Sequence, residues 1–310
     1  RAGLFLQALA QKLDLDAKHI FPAYEDTWYY LWRERRLPAN VDPFDSRLDD
    51  PLERARLRKV FSQGLDHVVG HVLPLTHDGA HWKSGPWFLR DERCYLLPGD
   101  SAMGYRLPLD SQPWVAATDY PWIHAVDPSL PRAPLPPAAS IRNLSRATGS
   151  HGTASADAPV KPQAQQSAHG IVRSALCAEP RDGALRLFMP PLAALEDYLA
   201  LIAVIEQTAA ALNIPVVIEG YEPPRDPRLQ VLRITPDPGV LEVNVQPAGS
   251  WRELVANTEF LYQAAHESRL SSEKFMLDGR HAGTGGGNHV VMGGATTADS
   301  PFLRRPDVLA

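Results

Sequence analysis

A glycine-rich run over residues 279–294 holds the densest set of groups that could contact a ligand. Repeated glycines let the backbone approach a ligand closely and present N–H groups to an anion such as phosphate. The run is not a Walker A motif and lacks the strand-then-helix order of a dinucleotide fingerprint. A tightly turning loop without a ligand would have the same composition, but the adjacent Asn288 and His289 favour binding. The predicted cofactor-binding residues of the run are Gly283, Gly285, Gly286, Gly287 and Asn288.

Acidic side chains occur at several predicted strand positions. Glu242 and Asn244 alternate with apolar residues and therefore share one strand face, although an ordinary solvent-exposed face gives the same pattern. Glu179 and Glu219 end two other predicted strands, and His289 begins a third. Carboxylates, together with waters and phosphates, are ligands that suit Mg²⁺. We therefore expect metal ligands at Glu179, Glu219, Glu242 and His289, and a cofactor contact at Asn244.

Arginine and cysteine supply the remaining candidate groups. Arg181, Arg225 and Arg280 could bind a carboxylate or phosphate through their planar guanidinium groups, although each also suits an exposed surface position. Cys94 and Cys177 are the only cysteines, so a thiol enzyme of the transglutaminase or papain kind would have to use one of them. Both fall in predicted extended segments, and neither begins a helix that would lower its pKa. The thiol hypothesis is therefore the weaker one.

The elements that would position these residues are clearest after residue 170. The pattern predicts a hairpin of two strands, 171–178 and 184–189, with its turn at residues 181–183. A helix over 192–212 follows and ends at Asn213. Three further strands are predicted over 216–218, 231–234 and 240–245, and a second helix over 251–270. Short turns between the strands favour antiparallel pairing. The sequence therefore predicts an α+β fold in which helices pack on an antiparallel sheet.

The first part of the chain has a more mixed pattern. Helices are predicted over residues 4–13 and near 50–63, and strands over 68–75 and 94–97. We expect three regions, namely a smaller mixed N-terminal region (1–112), a flexible Pro/Ala/Ser-rich linker (113–170) and an α+β domain (171–310). No closing strand or helix signal follows residues 300–307, so the last domain is expected to be truncated.

Composition limits the classes of function. The chain has 310 residues, a formal net charge of −5 and a pI near 6.1, which give no general footprint for nucleic acid. The sequence contains no run of 18 or more apolar residues, the length needed to span a membrane as a helix. Two cysteines fit a reducing compartment, so we expect a cytoplasmic bacterial protein. A non-catalytic interaction module is the alternative to an enzyme, with the aromatic stretch 24–32 as its interface instead of packed core.

Long blocks of this sequence resemble one family of proteins. The family consists of large bacterial proteins that join a transglutaminase-like N-terminal domain to an amidoligase region. Besides the glycine-rich run, the blocks that carry the resemblance are residues 22–26, 40–43, 103–111, 188–191, 217–221, 235–244 and 273–281. The similarity covers nearly all of the chain outside the predicted linker.

The resemblance implies a function. The amidoligase region is similar to carboxylate–amine ligases of the glutamine synthetase and glutamate–cysteine ligase group, which activate a carboxylate with ATP and pass it to an amine. It implies a partial glutamine synthetase-like domain, ATP and Mg²⁺ as cofactors, and small-molecule or peptide carboxylate and amine substrates. Glu179 corresponds to an acidic first strand, Glu242 to a later strand position, and His289 to a histidine after a glycine-rich turn. The candidate catalytic residues are His289, Glu242 and Arg280, and neighbouring domains of a longer protein are the expected partners.

Overall fold

Apolar residues at helical and strand spacing form the elements of the fold, here given by a computed structural model. The described residues are 1–26, 62, 66–89, 93–98, 104–124, 126–127, 130–141, 161–163, 165–237, 240–283, 292–294 and 297–309. The chain divides into two compact units, residues 1–228 (unit 1) and residues 229–310 (unit 2).

The described part of unit 1 combines two long α-helices with nine strands, and it also has a helical turn at residues 138–141. The helices are α1 (Ala2–Lys12) and α2 (Leu195–Leu212). The strands are β1 (Phe21–Glu25), β2 (Val68–Pro74), β3 (Thr76–His77), β4 (Trp82–Lys83), β5 (Cys94–Pro98), β6 (Tyr105–Arg106), β7 (Ala175–Arg181), β8 (Ala184–Met189) and β9 (Val216–Gly220).

Seven of these strands form one sheet in the order β6-β5-β1-β2-β7-β8-β9. The pairs β1–β5 and β8–β9 are parallel, and the other neighbouring pairs are antiparallel. At the β2–β7 pair, a Cβ atom on Gly70 would lie 2.7 Å from the Ala178 carbonyl oxygen, so a glycine permits the close approach there. This pair joins strands from the two halves of the unit.

Helices α1 and α2 cover one face of the sheet, which we call the helix face. Side chains alternate along a strand, so every second residue of β7 and β8 points to these helices. The packed side chains are each at most 3% exposed and comprise Phe5, Leu6, Leu9, Leu176, Ala178, Leu185, Leu187, Met189, Leu201, Val204 and Ile205. Burying a leucine or phenylalanine side chain contributes about 1.5–3 kcal/mol, so this layer is the main apolar core.

Two predicted boundaries are reproduced for identifiable reasons. Asp182 and Gly183 have positive φ angles of 52° and 79°, the combination that a two-residue hairpin turn requires between β7 and β8. Asn213 ends α2 in the left-handed conformation with φ of 51°, and its N–H bonds back into the last turn. The hairpin and the end of this helix confirm the prediction.

Unit 2 is built from smaller pieces. Its elements are β10 (Arg233–Asp237), β11 (Val240–Asn244), α3 (Trp251–Glu267), β12 (Lys274–Phe275), β13 (His281–Ala282) and the short α4 (Pro301–Arg304). Ser250 caps α3 by accepting the Glu253 N–H at 3.2 Å, while Glu253 accepts the Gly249 N–H at 2.7 Å. No described residue of this unit is buried, and Trp251 and Phe260 are 77% and 71% exposed.

The predicted α+β class, with helices packed on a mostly antiparallel sheet, is confirmed. Strands on both sides of residues 113–170 pair within a single sheet in unit 1. The division into three regions expected from sequence stays a prediction. The helix expected near residues 50–63 and most of the aromatic stretch 24–32 lie outside the described residues. Of the helices that the structure describes, none is both long and apolar enough to cross a membrane.

Candidate functional site

The sheet face opposite the helices, which we call the cavity face, carries the polar residues of unit 1. Paired residues on neighbouring strands share a face, and the register pairs Glu179 with Arg186 and Phe188 with both Cys177 and Glu219. Cys177 and Phe188 belong to a second apolar cluster, distinct from the core beneath α1 and α2. Glu179, Arg186 and Glu219 therefore lie on one surface together with an apolar patch.

Two arginines and two glutamates form a cluster on this face. The Nη2 atom of Arg181 lies 2.6 Å from Oε1 of Glu219, and Nη1 of Arg186 lies 2.7 Å from the same oxygen. Arg181 also reaches Glu179, with Nη1 at 3.3 Å from Oε2. The side chains of Glu179 and Glu219 are 8% and 10% exposed, whereas both arginines are about a quarter exposed (27% and 25%). The arginines thus separate two nearly buried carboxylates from solvent.

The cluster leaves some hydrogen-bonding capacity unused. Oε2 of Glu219 and Nε of Arg186 are buried and have no hydrogen-bond partner. The hydrogen bond from Arg186 to Glu219 raises the pKa of this arginine, so its charge is retained at any working pH. A buried carboxylate oxygen without a partner costs free energy, so Glu219 has the capacity to bind a further cation or donor.

A second acidic group lies on the same face, at the end of β1. Glu25 pairs in register with Leu96, whose side chain belongs to the second apolar cluster. Glu25 is only 6% exposed, and its Oε2 accepts a hydrogen bond of 3.0 Å from the Tyr105 hydroxyl. The cavity face therefore carries buried carboxylates on three strands, β1, β7 and β9.

A cavity of about 920 Å³ opens on this face. Val72, Cys177 and Phe188 line it from the sheet. Residues 120–123 and 169–175, from loops, line it as well. Its volume is within the range of small-molecule sites, and its wall is mainly apolar and aromatic.

The cavity wall has basic side chains but no carboxylate. Lys83, Arg106, Arg173, His71 and His169 line it, and no Asp or Glu is among the described residues that do so. Lys83 is neutralised by Asp78, with Nζ 2.6 Å from Oδ2. Arg173 donates instead to the backbone carbonyl of Pro113. The cavity thus combines apolar walls with a basic character.

Polar contacts hold the loops that enclose the cavity. The Ser167 hydroxyl donates to Asp119 at 2.6 Å and accepts the Ala116 N–H at 3.0 Å. Trp87 donates from Nε1 to the Val172 carbonyl at 2.6 Å. The described ends of the predicted 113–170 linker are therefore tied to each other and form part of the cavity wall, while the mobility of that linker stays a prediction.

Asp226 forms a second buried ion-pair cluster in unit 1. Its side chain has no exposed surface, and it accepts hydrogen bonds from Arg132 and from Arg228, whose Nη2 lies 2.7 Å from Oδ2. These arginines hold the pKa of Asp226 well below its ordinary value, chiefly through the Arg228 hydrogen bond. Because Arg228 also donates to the Ala133 carbonyl at 2.9 Å, the cluster fixes residues 132–133 to the loop before β10.

The structure argues against both cysteines as nucleophiles. Burial raises the pKa of Cys94 to about 12, and burial also raises the pKa of Cys177. Both thiols are buried and free of disulfide bonds. A thiol enzyme needs a thiolate near neutral pH, so neither residue has the environment that this chemistry requires.

The site residues predicted from sequence are divided between the units. Glu179 and Glu219 belong to the cluster in unit 1, while Glu242 and Asn244 lie on one face of β11 in unit 2, as the alternating pattern predicts, and both are exposed. Arg280 pairs with Asp278, and Gly283 follows β13. Gly285, Gly286, Gly287, Asn288 and His289 lie outside the described residues. The catalytic and cofactor roles of all these residues stay predictions.

Among the described residues, no three His, Cys, Asp or Glu side chains are grouped to hold an ion. The metal site predicted at Glu179, Glu219, Glu242 and His289 stays a prediction, because His289 lies outside the described residues. Glu179 and Glu219 share Arg181, because a guanidinium between two carboxylates offsets their repulsion. Mg²⁺ commonly takes only one or two carboxylates together with phosphates and waters. The unpartnered Oε2 of Glu219 fits that smaller role.

Sequence reasoning missed several residues of this face. Arg186 stands between Leu185 and Leu187 in β8, and that alternation already indicated that its side chain points away from the core. Its pairing with Glu179 follows once the hairpin turn is placed at Asp182 and Gly183. Glu25 and Arg173 gave no comparable signal, because their neighbours come from distant segments.

The comparisons with known proteins give one match. The family model described as "Putative amidoligase enzyme (DUF2126)" matches residues 1–310. No curated protein and no solved structure matches significantly. The chain belongs to this amidoligase family.

Proposed function

We propose that this protein is an ATP-dependent ligase that joins a carboxylate to an amine, with its reaction centre on the cavity face of unit 1. The observation that carries the proposal is the cluster of Arg181, Arg186, Glu179 and Glu219 beside a cavity large enough for a substrate. Membership of the amidoligase family supports the ligase class. ATP dependence and the likeness to glutamine synthetase come from the sequence resemblance alone.

The proposed reaction proceeds in two steps. A carboxylate oxygen of the acid forms a bond to the γ-phosphorus of ATP while the bond to ADP breaks, which gives an acyl phosphate. The amine nitrogen then bonds to the acyl carbon, phosphate leaves with the electrons of the C–O bond, and the amine loses one proton to a base. Charge on the phosphoryl oxygens is the main barrier to the first step, so cationic groups beside them lower it.

The residues of the cluster have the chemistry for these tasks. Arg181 and Arg186 present planar guanidinium groups that suit phosphoryl oxygens. Glu179 and Glu219 would hold Mg²⁺, because carboxylates beside phosphates are its usual ligands in such sites. Bound magnesium would neutralise part of the charge on the transferred group. Apolar walls of the cavity exclude water, which protects an acyl phosphate from hydrolysis.

A hydroxylamine assay tests this function. The protein is incubated with ATP, Mg²⁺, hydroxylamine as the amine and a panel of carboxylic acids, and both hydroxamate and ADP are measured. We expect the two products in equal amounts, and we expect Glu219→Gln to lower the rate by about 100-fold or more, as loss of a group that stabilises transition-state charge does. Glu259→Gln, which removes an exposed carboxylate from α3, serves as the matched control.

Two outcomes would contradict the proposal. Hydroxamate formation that needs no ATP and disappears on thiol alkylation would indicate an acyl transferase of the thiol type. An unchanged rate for Glu219→Gln would remove the cluster from the reaction centre. Measuring the melting temperature of each variant separates loss of chemistry from loss of folding.

A further inference from the structure

The charge of the cavity is not balanced by its own wall. Arg173 lines the cavity, and among the described residues it forms no ion pair. Its Nη2 donates to the carbonyl of Pro113, and its Nε is buried without a hydrogen-bond partner. An intermediate degree of burial without a counterion makes this guanidinium costly in the cavity wall, because desolvation without a partner is unfavourable.

Burial lowers the pKa of Arg173, which is the direction expected for a cation that lacks a counterion. Nearby Lys83 is already paired with Asp78, so it does not carry the same unmet charge. An anionic group at Arg173 would supply the missing charge. A carboxylate has the planar geometry that a guanidinium binds best.

The rest of the wall indicates what the anion is attached to. Phe188 and Tyr221 form an edge-to-face aromatic pair with ring centroids 6.4 Å apart, and both residues line the cavity. Ile171 and Leu107 add aliphatic surface to the same wall. A ligand that is only a small ion would leave these side chains facing water, whereas an aromatic or aliphatic body would bury them.

We propose that the cavity binds a carboxylic acid with an apolar, aromatic body, which is held through its carboxylate by Arg173 and through its body by Phe188 and Tyr221. Phe188 is in register with Glu219, so the apolar body would lie on the side of the Arg–Glu cluster and the carboxylate on the side of Arg173, which precedes β7. Binding of the acid at this site therefore does not depend on the proposed function.

Calorimetric titration of the whole 310-residue chain, without ATP, tests the binding directly. The probe is 3-phenylpropionate, and the matched ligands are 3-phenylpropanamide, which lacks the charge, and acetate, which lacks the body. We expect the acid to bind about tenfold or more tightly than the amide, since a hydrogen bond between two charged groups is stronger than one to a neutral group. Acetate should show no binding over the same concentrations.

Two variants locate the site. Arg173→Gln removes the cation and should lower the affinity for the acid by about tenfold while leaving the affinity for the amide nearly unchanged. Gly170→Trp adds an indole to the cavity wall at a position where a Cβ meets no atom within 4 Å, and it should weaken both ligands. The controls are Lys12→Gln, which removes a cation, and Gln11→Trp, which adds an indole, both at exposed positions of α1.

Equal affinities for acid and amide, or an acid affinity that neither Arg173→Gln nor Gly170→Trp changes, would overturn the proposal. Tighter binding of 2-phenylethyl phosphate than of the acid would also overturn it, in favour of phosphate esters. If Arg173→Gln fails to fold, Gly170→Trp and the comparison of acid with amide still test the proposed site. Acid binding without ATP-dependent amide formation would contradict the proposed function but not this binding site. Ligase activity without acid binding would contradict the binding site but not the proposed function.

Discussion

The two faces of the seven-stranded sheet are held and used in opposite ways. On the helix face, Leu176, Leu187 and their neighbours are almost fully buried under α1 and α2, and their contacts are apolar. On the cavity face, Glu179 and Glu219 are buried among arginines, and loops attached by hydrogen bonds enclose an open volume. Stability is therefore expected to depend on one face and ligand binding on the other.

Shortening a side chain of the helix face should have the largest effect on stability. Leu187→Ala removes a fully buried side chain, and such changes typically cost about 2–5 kcal/mol because a cavity remains. Denaturant unfolding would measure this loss, and Leu212→Ala, at a residue that is 39% exposed, should change stability by less than about 0.5 kcal/mol. A Glu219→Gln variant that is destabilised as much as Leu187→Ala would show that the charged cluster is structural.

Acid should weaken the ion pairs of Asp226 before it weakens the apolar contacts of the helix face. The pKa of Asp226 lies below its ordinary value of 3.8, so its ion pairs stabilise the fold above that value and are lost as the pH falls through the lowered pKa. Asp226→Asn should destabilise unit 1 by about 3 kcal/mol at pH 7, the order expected when a buried ion pair loses one partner. Melting temperatures of both proteins from pH 7 downward should converge in acid, and a constant difference would contradict the assignment.

The smallest effect concerns the two thiols of the cavity face. Cys94 and Cys177 are buried, and their pKa values are raised, so neither should be a thiolate near neutral pH. Ellman's reagent should modify both only as fast as the protein opens, and at once after denaturation. A rapid phase equal to one thiol per chain in the folded protein would restore the thiol hypothesis.

Local patterns account for the parts of the fold that the sequence predicts. The β7–β8 hairpin and α2 were identifiable, because a turn at Asp182 and Gly183 and an end at Asn213 depend on neighbouring residues alone. Glu179 and Glu219 were identifiable as strand-end acids for the same reason. The cavity was not, because its wall brings Val72 together with residues 120–123 and 169–175, and no periodic pattern records such distant contacts.

The β2–β7 pair and the packing of α1 against α2 have a consequence for how the chain folds as it is synthesised. The apolar side of α1, at residues 2–12, packs on β2 and β7 of the sheet and on α2, whose last residue is Leu212. At about 5–20 residues per second, the ribosome needs roughly 10 to 40 s to supply α2. Until then Phe5, Leu6 and Leu9 lack part of their native contacts, so the nascent chain is expected to depend on a chaperone, and full protease protection of α1 in stalled chains should begin only after α2 has left the ribosome.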